Sequence, residues 1–295
     1  MEKIAFIGLG AMGRPMANTL LSAGWSLNLF NRTPDKAQGL PGACTVAASP
    51  AEAVRDAGAV VTMLADDAAT EAVAFGPDGI IANLPAGAVH VAMSTISVAC
   101  SRRLAEAHAA AGQAYLAAPV FGRPDAAEAG TLWIVVGGPA DAVDHCRPLF
   151  DALGQGIHLV GDRAEGANVV KLAGNFTIAA MLETLGESFA LVRKSGLDPE
   201  QFLDIINSTL FKSPLYQAYG ELALKERFEP PGFKLRLGLK DVSLVLAAGA
   251  MAEVPMPTAS LVRDTLLSGV ARGKGDIDWT ALARLIADNA GVPPG

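Results

Sequence analysis

Lys171 and Asn175 stand four residues apart in the run Val169-Val170-Lys171-Leu172-Ala173-Gly174-Asn175-Phe176, two polar side chains in apolar surroundings. In a helix they lie on one face, a turn apart, and can address the same small molecule. Gly174 removes side-chain bulk beside them, permitting close approach of a ligand or another backbone at some cost in helix stability. An ammonium in hydrogen-bond reach of a carbonyl can stabilise charge building on the oxygen and then protonate it. The same pattern also suits a lysine that lays its stem over apolar surface and keeps its charge in water.

A second group of residues has the chemistry of phosphate binding. Gly8-Leu9-Gly10-Ala11-Met12-Gly13 sits between the apolar run Ile4-Ala5-Phe6-Ile7 and a helix-like run from Arg14 to Ser22. The first glycine turns the chain sharply off a strand, the second lets the backbone approach a pyrophosphate, and the third lets helix and strand pack closely. The helix N-terminus adds N–H groups and positive potential. A second strand, Leu27 to Phe30, ends at Asn31-Arg32-Thr33, where the residue meeting the adenosine ribose belongs. An acid there would favour NAD; Asn31 is neutral, and Arg32 and Thr33 can donate to phosphate oxygens, so NADP(H) is expected over NAD(H).

The elements that must position these residues follow from periodicity. Further short apolar strands are expected at Ala59 to Met63, Ala88 to Met93, Ala114 to Ala118, Thr131 to Val136 and Ile157 to Val160, alternating with helical stretches. That alternation predicts a doubly wound, mostly parallel sheet with helices on both faces, an α/β Rossmann domain over residues 1–161. After Gly161 the strand pattern stops. One helix is expected at about 163–194, ended by Gly196 and Pro199; at ~1.5 Å per residue it spans ~45 Å and should form a wall between domains. Helices are expected at Pro199 to Leu210, Ser213 to Glu226, Leu237 to Met251, Met256 to Gly269 and Trp279 to Ala290, giving an all-α domain over 162–295.

Bulk properties narrow the function classes. A chain of 295 residues, 51% hydrophobic and 18% charged, is globular rather than disordered. A net charge of −7 without clustered Lys and Arg argues against nucleic-acid binding. Cys44, Cys100 and Cys146 are odd in number and lack metal-ligand spacing, so neither a disulfide framework nor a metal site is expected. Met1-Glu2-Lys3 leads directly into the first strand, leaving no room for a secretion signal, and no apolar run reaches membrane-span length, so the expected location is the cytoplasm.

Five motifs in order resemble the β-hydroxyacid dehydrogenase family, the group of 3-hydroxyisobutyrate dehydrogenase, tartronate semialdehyde reductase and glyoxylate/succinic semialdehyde reductase. They are Gly8 to Gly13, Met93-Ser94-Thr95, Ala118-Pro119-Val120, Lys171 to Asn175, and Lys240-Asp241. The resemblance implies that Lys171 is the catalytic acid/base and that Asn175 orients the substrate. It implies further that Lys240 reaches the cofactor, that Thr95, Leu64 and Ala65 lie on the nicotinamide side, and that Ser94 helps line the pocket. Lys240-Asp241 also suits a surface lysine with a helix-face partner, and Ser94 a helix cap.

The chain departs from that pattern at one place. Where relatives carry a serine and two glycines after the proline-valine step, it has Phe121-Gly122-Arg123. These are candidate substrate-binding residues: Phe121 makes a pocket more apolar, and Arg123 either holds a carboxylate or points to solvent. The expected partner is a small aldehyde, keto acid or hydroxy acid. The alternatives are an imine reductase-like enzyme with an apolar pocket, although such enzymes usually carry Asp or Tyr in place of the helix lysine, and a non-enzymatic NADP-binding protein. Phosphogluconate oxidation is disfavoured because the chain is much shorter than those enzymes. Relatives associate through the helical domain, so a homodimer or homotetramer is expected.

Overall fold

The computed structural model describes residues 3–293, and Met1 and Glu2, on which the absence of a leader was read, lie outside the described residues. In chain order the elements are β1 (Ile4–Ile7), α1 (Gly13–Ser22), β2 (Leu27–Phe30), β3 (Cys44–Val46), α2 (Pro50–Val54), β4 (Ala59–Thr62), α3 (Asp67–Ala74), α4 (Ile80–Asn83), β5 (Val89–Ala92), α5 (Val98–Ala110), β6 (Ala114–Ala117), β7 (Val120–Phe121), α6 (Pro124–Glu128), β8 (Leu132–Val136), α7 (Ala140–Leu153), β9 (Gly154–Leu159) and α8 (Glu165–Lys194). Then come α9 (Pro199–Ser208), α10 (Pro214–Leu224), α11 (Leu235–Met251), α12 (Pro257–Ala271) and α13 (Leu282–Asn289). Two compact units meet in sequence between Lys171 and Leu172, inside α8.

The first unit holds a six-stranded sheet in the order β3-β2-β1-β4-β5-β6, every pair parallel. Its two faces are built by period-two alternation. Ile4 and Phe6 of β1 enter one core with Met16, Leu20, Val143 and Phe150 of α1 and α7, while Ala5 and Ile7 enter another with Ala53, Val54 and Ile80 of α2 and α4. α1 presents Gly13, Met16, Ala17, Leu20 and Leu21 inward, the i, i+3, i+4, i+7 stripe of an amphipathic helix.

Two expected strands do not extend this sheet. β8 and β9, read as its continuation, instead form a second sheet with β7, in the order β7-β8-β9. The reason is direction: the chain reverses after β7, so β8 runs antiparallel to β7 and to the end of β6 and cannot continue a parallel sheet. β7 carries on in the direction of β6: Ala117 with Gly137, Val120 with Ile134 and Phe121 with Trp133 share one antiparallel register, and the bridge from Ala117 to Gly137 joins the two sheets. β3 and β7, of three and two residues, were too short to register as periodic runs.

A buried polar chain braces the strands that carry the site loops. Gln113 donates to the carbonyls of Ile81 and Leu84, which turns its own oxygen toward His108 Nδ1 at 2.7 Å. That oxygen only accepts, so His108 carries its proton on Nδ1 and accepts through Nε2 from His90 Nδ1 at 2.8 Å. His90 Nε2 in turn accepts from Thr62, the last residue of β4, at 2.9 Å. Every proton in the chain is assigned by its far end, and both rings are neutral. Burial, then the neighbouring His108, holds His90 well below the usual imidazole range; burial pushes His108 down to about 4 against the raising effect of Gln113.

The sign of the linkage follows. Below about pH 6.5 the unfolded chain takes up protons that the folded pair refuses. The pair's contribution, complete above that pH, is lost by up to about 1.4 kcal/mol per pH unit per ring as pH falls toward the folded value of about 4. Glu183 of α8, raised to about 7 by burial, works in the opposite sense, so a melting curve mixes the two effects. Long-range ¹H–¹⁵N spectra are expected to show both rings as the neutral Nδ1–H tautomer at pH 5.5; an imidazolium signal from either at that pH contradicts the network.

The second unit contains α9 to α13 and α8 from Leu172 onward, with Leu182, Leu185, Leu235, Val242, Val262, Leu266, Trp279 and Leu282 buried in its interior. α8 begins at Glu165 and ends in Arg193 and Lys194, charges that complement the helix dipole at both ends. Gly196, at φ +76°, closes it: its N–H bonds to Arg193 and the next N–H to Val192. The expected last helix splits into a 3₁₀ turn at Trp279–Ala281 and α13, because the Asp278 carboxylate caps the turn through Thr280 N–H.

Candidate active site

The glycine-rich turn is set by close backbone crossings. Gly8 adopts φ +100°, and a Cβ there would stand 2.3 Å from the Met63 carbonyl oxygen. A Cβ on Gly13 would stand 1.9 Å from the Gly8 oxygen, so α1 can start here only with glycine. Gly10 is different: a Cβ there would meet nothing within 4 Å. The second glycine thus opens onto free space at the start of a helix whose N-cap, Met12, supplies no side-chain hydrogen bond. A close-approach point beside an uncapped helix N-terminus fits a dinucleotide pyrophosphate.

Around this turn the residues divide into those that could touch a cofactor and those that build the loops. Asn31 belongs to the builders: its Oδ1 accepts from Leu9 N–H at 2.8 Å and its amide donates to the Thr33 carbonyl at 2.8 Å. Arg32 and Thr33 are exposed at the carboxyl end of β2. Ser94 is fully buried and its hydroxyl accepts from Leu64 N–H at 2.7 Å, tying the loop after β4 to the end of β5. It is not a helix cap; Ser97 caps α5 by accepting from Cys100 N–H. Thr95 and Leu64 are half-buried and Ala65 exposed, all beyond the carboxyl ends of parallel strands, where ligands of such sheets bind.

Lys171 is buried, with 7% of its surface exposed, and its Nζ stands 4.1 Å from the centroid of the Phe121 ring. Gly122 is exposed and Arg123 half-buried just before α6. The charge of Lys171 is therefore not spread into water over a surface stem; it is held over an aromatic face. Asn175, one turn further along α8, is also buried, and its amide donates to Asp241 Oδ2 at 2.6 Å. Asp241 is 1% exposed and its other oxygen pairs with Lys240 Nζ at 3.0 Å. Asp241 is the residue that sequence reasoning passed over. It was quoted only as the neighbour of Lys240, yet it joins the helix asparagine to that lysine. An acid on the otherwise apolar face of α11 was the available signal.

Comparison with known proteins bears on this arrangement. Residues 3–161 match the family described as the NAD binding domain of 6-phosphogluconate dehydrogenase, and residues 166–286 match the one described as NAD-binding of NADP-dependent 3-hydroxyisobutyrate dehydrogenase. The chain is 47% identical over 285 residues to the uncharacterized oxidoreductase YfjR of Bacillus subtilis, covering 96% of this chain and 99% of that one. It is 30% identical to glyoxylate/succinic semialdehyde reductase 1 of Arabidopsis thaliana, covering 96% and 98% respectively. Among solved structures, the Mycobacterium tuberculosis 3-hydroxyisobutyrate dehydrogenase with L-serine superimposes with a TM-score of 0.87 at 28% identity, covering 96% of this chain and 98% of that chain.

Proposed function

The chain belongs to the β-hydroxyacid dehydrogenase family of NAD(P)-dependent oxidoreductases, and from that premise we propose that it is an NADPH-dependent reductase of a small aldehyde or keto acid, or the reverse dehydrogenase, with Lys171 as general acid/base. The observation that carries this reading is the burial of Lys171 one helical turn from a buried asparagine. A lysine is withdrawn from water only where something repays the desolvation. The nicotinamide, when bound, supplies or accepts the hydride. Lys171 then gives its proton to the carbonyl oxygen during reduction and takes it back during alcohol oxidation. Asn175, its amide steadied by Asp241, orients the substrate oxygen, and Lys240, paired to the same carboxylate, is given the cofactor contact that the family resemblance implies.

The preference for NADP(H) is read from Arg32 and Thr33. Both are exposed at the tip of β2, and no carboxylate occupies the ribose position to repel a 2′-phosphate. Arg32→Ala is expected to weaken NADPH by about 30-fold, the ~2 kcal/mol of a charge-assisted contact, while changing NADH by less than about threefold. Equal losses for both cofactors, read by fluorescence titration, contradict the assignment.

The substrate class is tested by following NADPH oxidation against glyoxylate, succinic semialdehyde, methylmalonate semialdehyde, hydroxypyruvate and a cyclic imine. Turnover of one or more of the carbonyl compounds is expected. Turnover of the imine alone overturns the acid/base reading in favour of imine reduction, and no turnover of any favours a cofactor-binding protein. Leu191, at 69% exposed, Leu197, at 63%, and Leu210, at 96%, present more apolar surface than a monomer of the helical unit needs, which supports a homodimer or homotetramer. Light scattering reads that directly.

A further inference from the structure

We propose that Phe121 is a positioning residue for proton transfer, its ring face holding the Lys171 ammonium through a cation–π contact. The proposal rests on the acid/base reading of Lys171. Three observations carry it. Nζ lies 4.1 Å from the ring centroid, well within the range of such contacts. Only 7% of the residue is exposed, and an aromatic face attracts a cation more strongly at a withdrawn position than at an open surface.

The third observation is that the ring cannot easily move away. β7 is held in register against β8, with Phe121 opposite Trp133, and the ring packs on the buried cluster that contains Val135, Ala164 and Ala167. Ala167 precedes Lys171 by one turn of α8, and its single methyl leaves room for an aromatic ring under that face of the helix. The lysine stem has four rotatable bonds, and a fixed ring face selects among its rotamers.

The chemistry favours a phenyl group in this role. A carboxylate in the same place would also attract the ammonium, but it could take the proton. A phenyl face attracts the cation and itself offers no oxygen or nitrogen to receive that proton. On this reading, exchanging a hydroxyl for an aromatic ring at position 121 does more than make the pocket apolar: it also sets where the acid stands.

Ring fluorination tests this, because fluorine withdraws charge from the π face while the ring stays in place. Full-length protein is prepared with 4-fluoro-, 3,5-difluoro- and 3,4,5-trifluorophenylalanine at position 121 and assayed with NADPH and succinic semialdehyde as probe. The expected result is a stepwise fall in kcat, reaching about tenfold for the trifluoro ring, with KM for NADPH and the melting temperature unchanged. Equal kcat across the series overturns the proposal. A second readout needs no turnover: in ¹³C-lysine-labelled protein the ε-methylene protons of Lys171 are expected upfield of the other lysines through the ring current, returning to the usual position in Phe121→Leu. An ordinary shift in the unsubstituted protein also overturns it. Lys171→Ala, assayed in parallel, separates the two levels of the argument. If it keeps its rate, the acid/base reading falls; if it loses its rate while the fluorinated series stays level, only the role of the ring falls.

Discussion

Lys171→Ala is expected to lower kcat about a thousandfold while leaving NADPH affinity within about twofold, because a positioned proton donor contributes roughly 10²- to 10⁴-fold and the loops proposed to hold the cofactor lie on other elements. Hydride arrival leaves an alkoxide that must be neutralised, and water is a poor replacement for an ammonium already in place. The substitution removes one side chain from the face of a long helix whose N-terminal turns remain packed through Ala164 and Ala167. Loss of fold is therefore not the expected outcome, and the melting temperature should stay close to that of the parent protein. A Lys171→Ala enzyme turning over within tenfold of the parent contradicts the acid/base role outright. Equal loss of NADPH binding and turnover points instead to a structural lysine.

The second large effect is expected at the glycines of the turn after β1, where two substitutions should fail in different ways. In Gly13→Ala the new methyl stands 1.9 Å from the Gly8 oxygen, a backbone atom that can yield only if α1 shifts off β1. Overpacking of this kind costs about 3 kcal/mol, so the variant should melt markedly earlier and bind NADPH about a hundredfold more weakly. In Gly10→Ala the methyl meets nothing within 4 Å, so the fold should be unaffected in the absence of cofactor. NADPH affinity should still fall, because the methyl fills the space through which the backbone approaches the pyrophosphate. Calorimetry with and without NADPH separates the two. A Gly10→Ala protein that binds NADPH normally removes this turn from the phosphate site.

Much of this was legible in the residues themselves, and where it was not, the cause is specific. Strands such as Ile4–Ile7 and Ala59–Thr62 are continuous apolar runs, as strands buried on both faces must be. α8 was placed to within two residues, at Glu165–Lys194 against about 163–194, because its apolar pattern is long and its end is marked by glycine and proline. The separate sheet of β7, β8 and β9 could not be read that way, since β8 has the same composition whichever neighbour it pairs with. Asn31 is a similar case. Its position marks it for the cofactor, but the tie its side chain makes between Leu9 and Thr33 has no local signature.

What the chain determined by itself is what depends on near neighbours: the glycine spacing of the turn after β1, the alternation of strands with helices, and the four-residue interval between Lys171 and Asn175. These follow from backbone sterics and helical or strand period, which act over a few residues. Tertiary structure alone decided the partners of the polar groups. Phe121 comes under Lys171 from fifty residues away, and Asp241 meets Asn175 across sixty-six. No local period encodes such pairs; they exist because burying an ammonium or an amide without a partner costs more than bringing one to it.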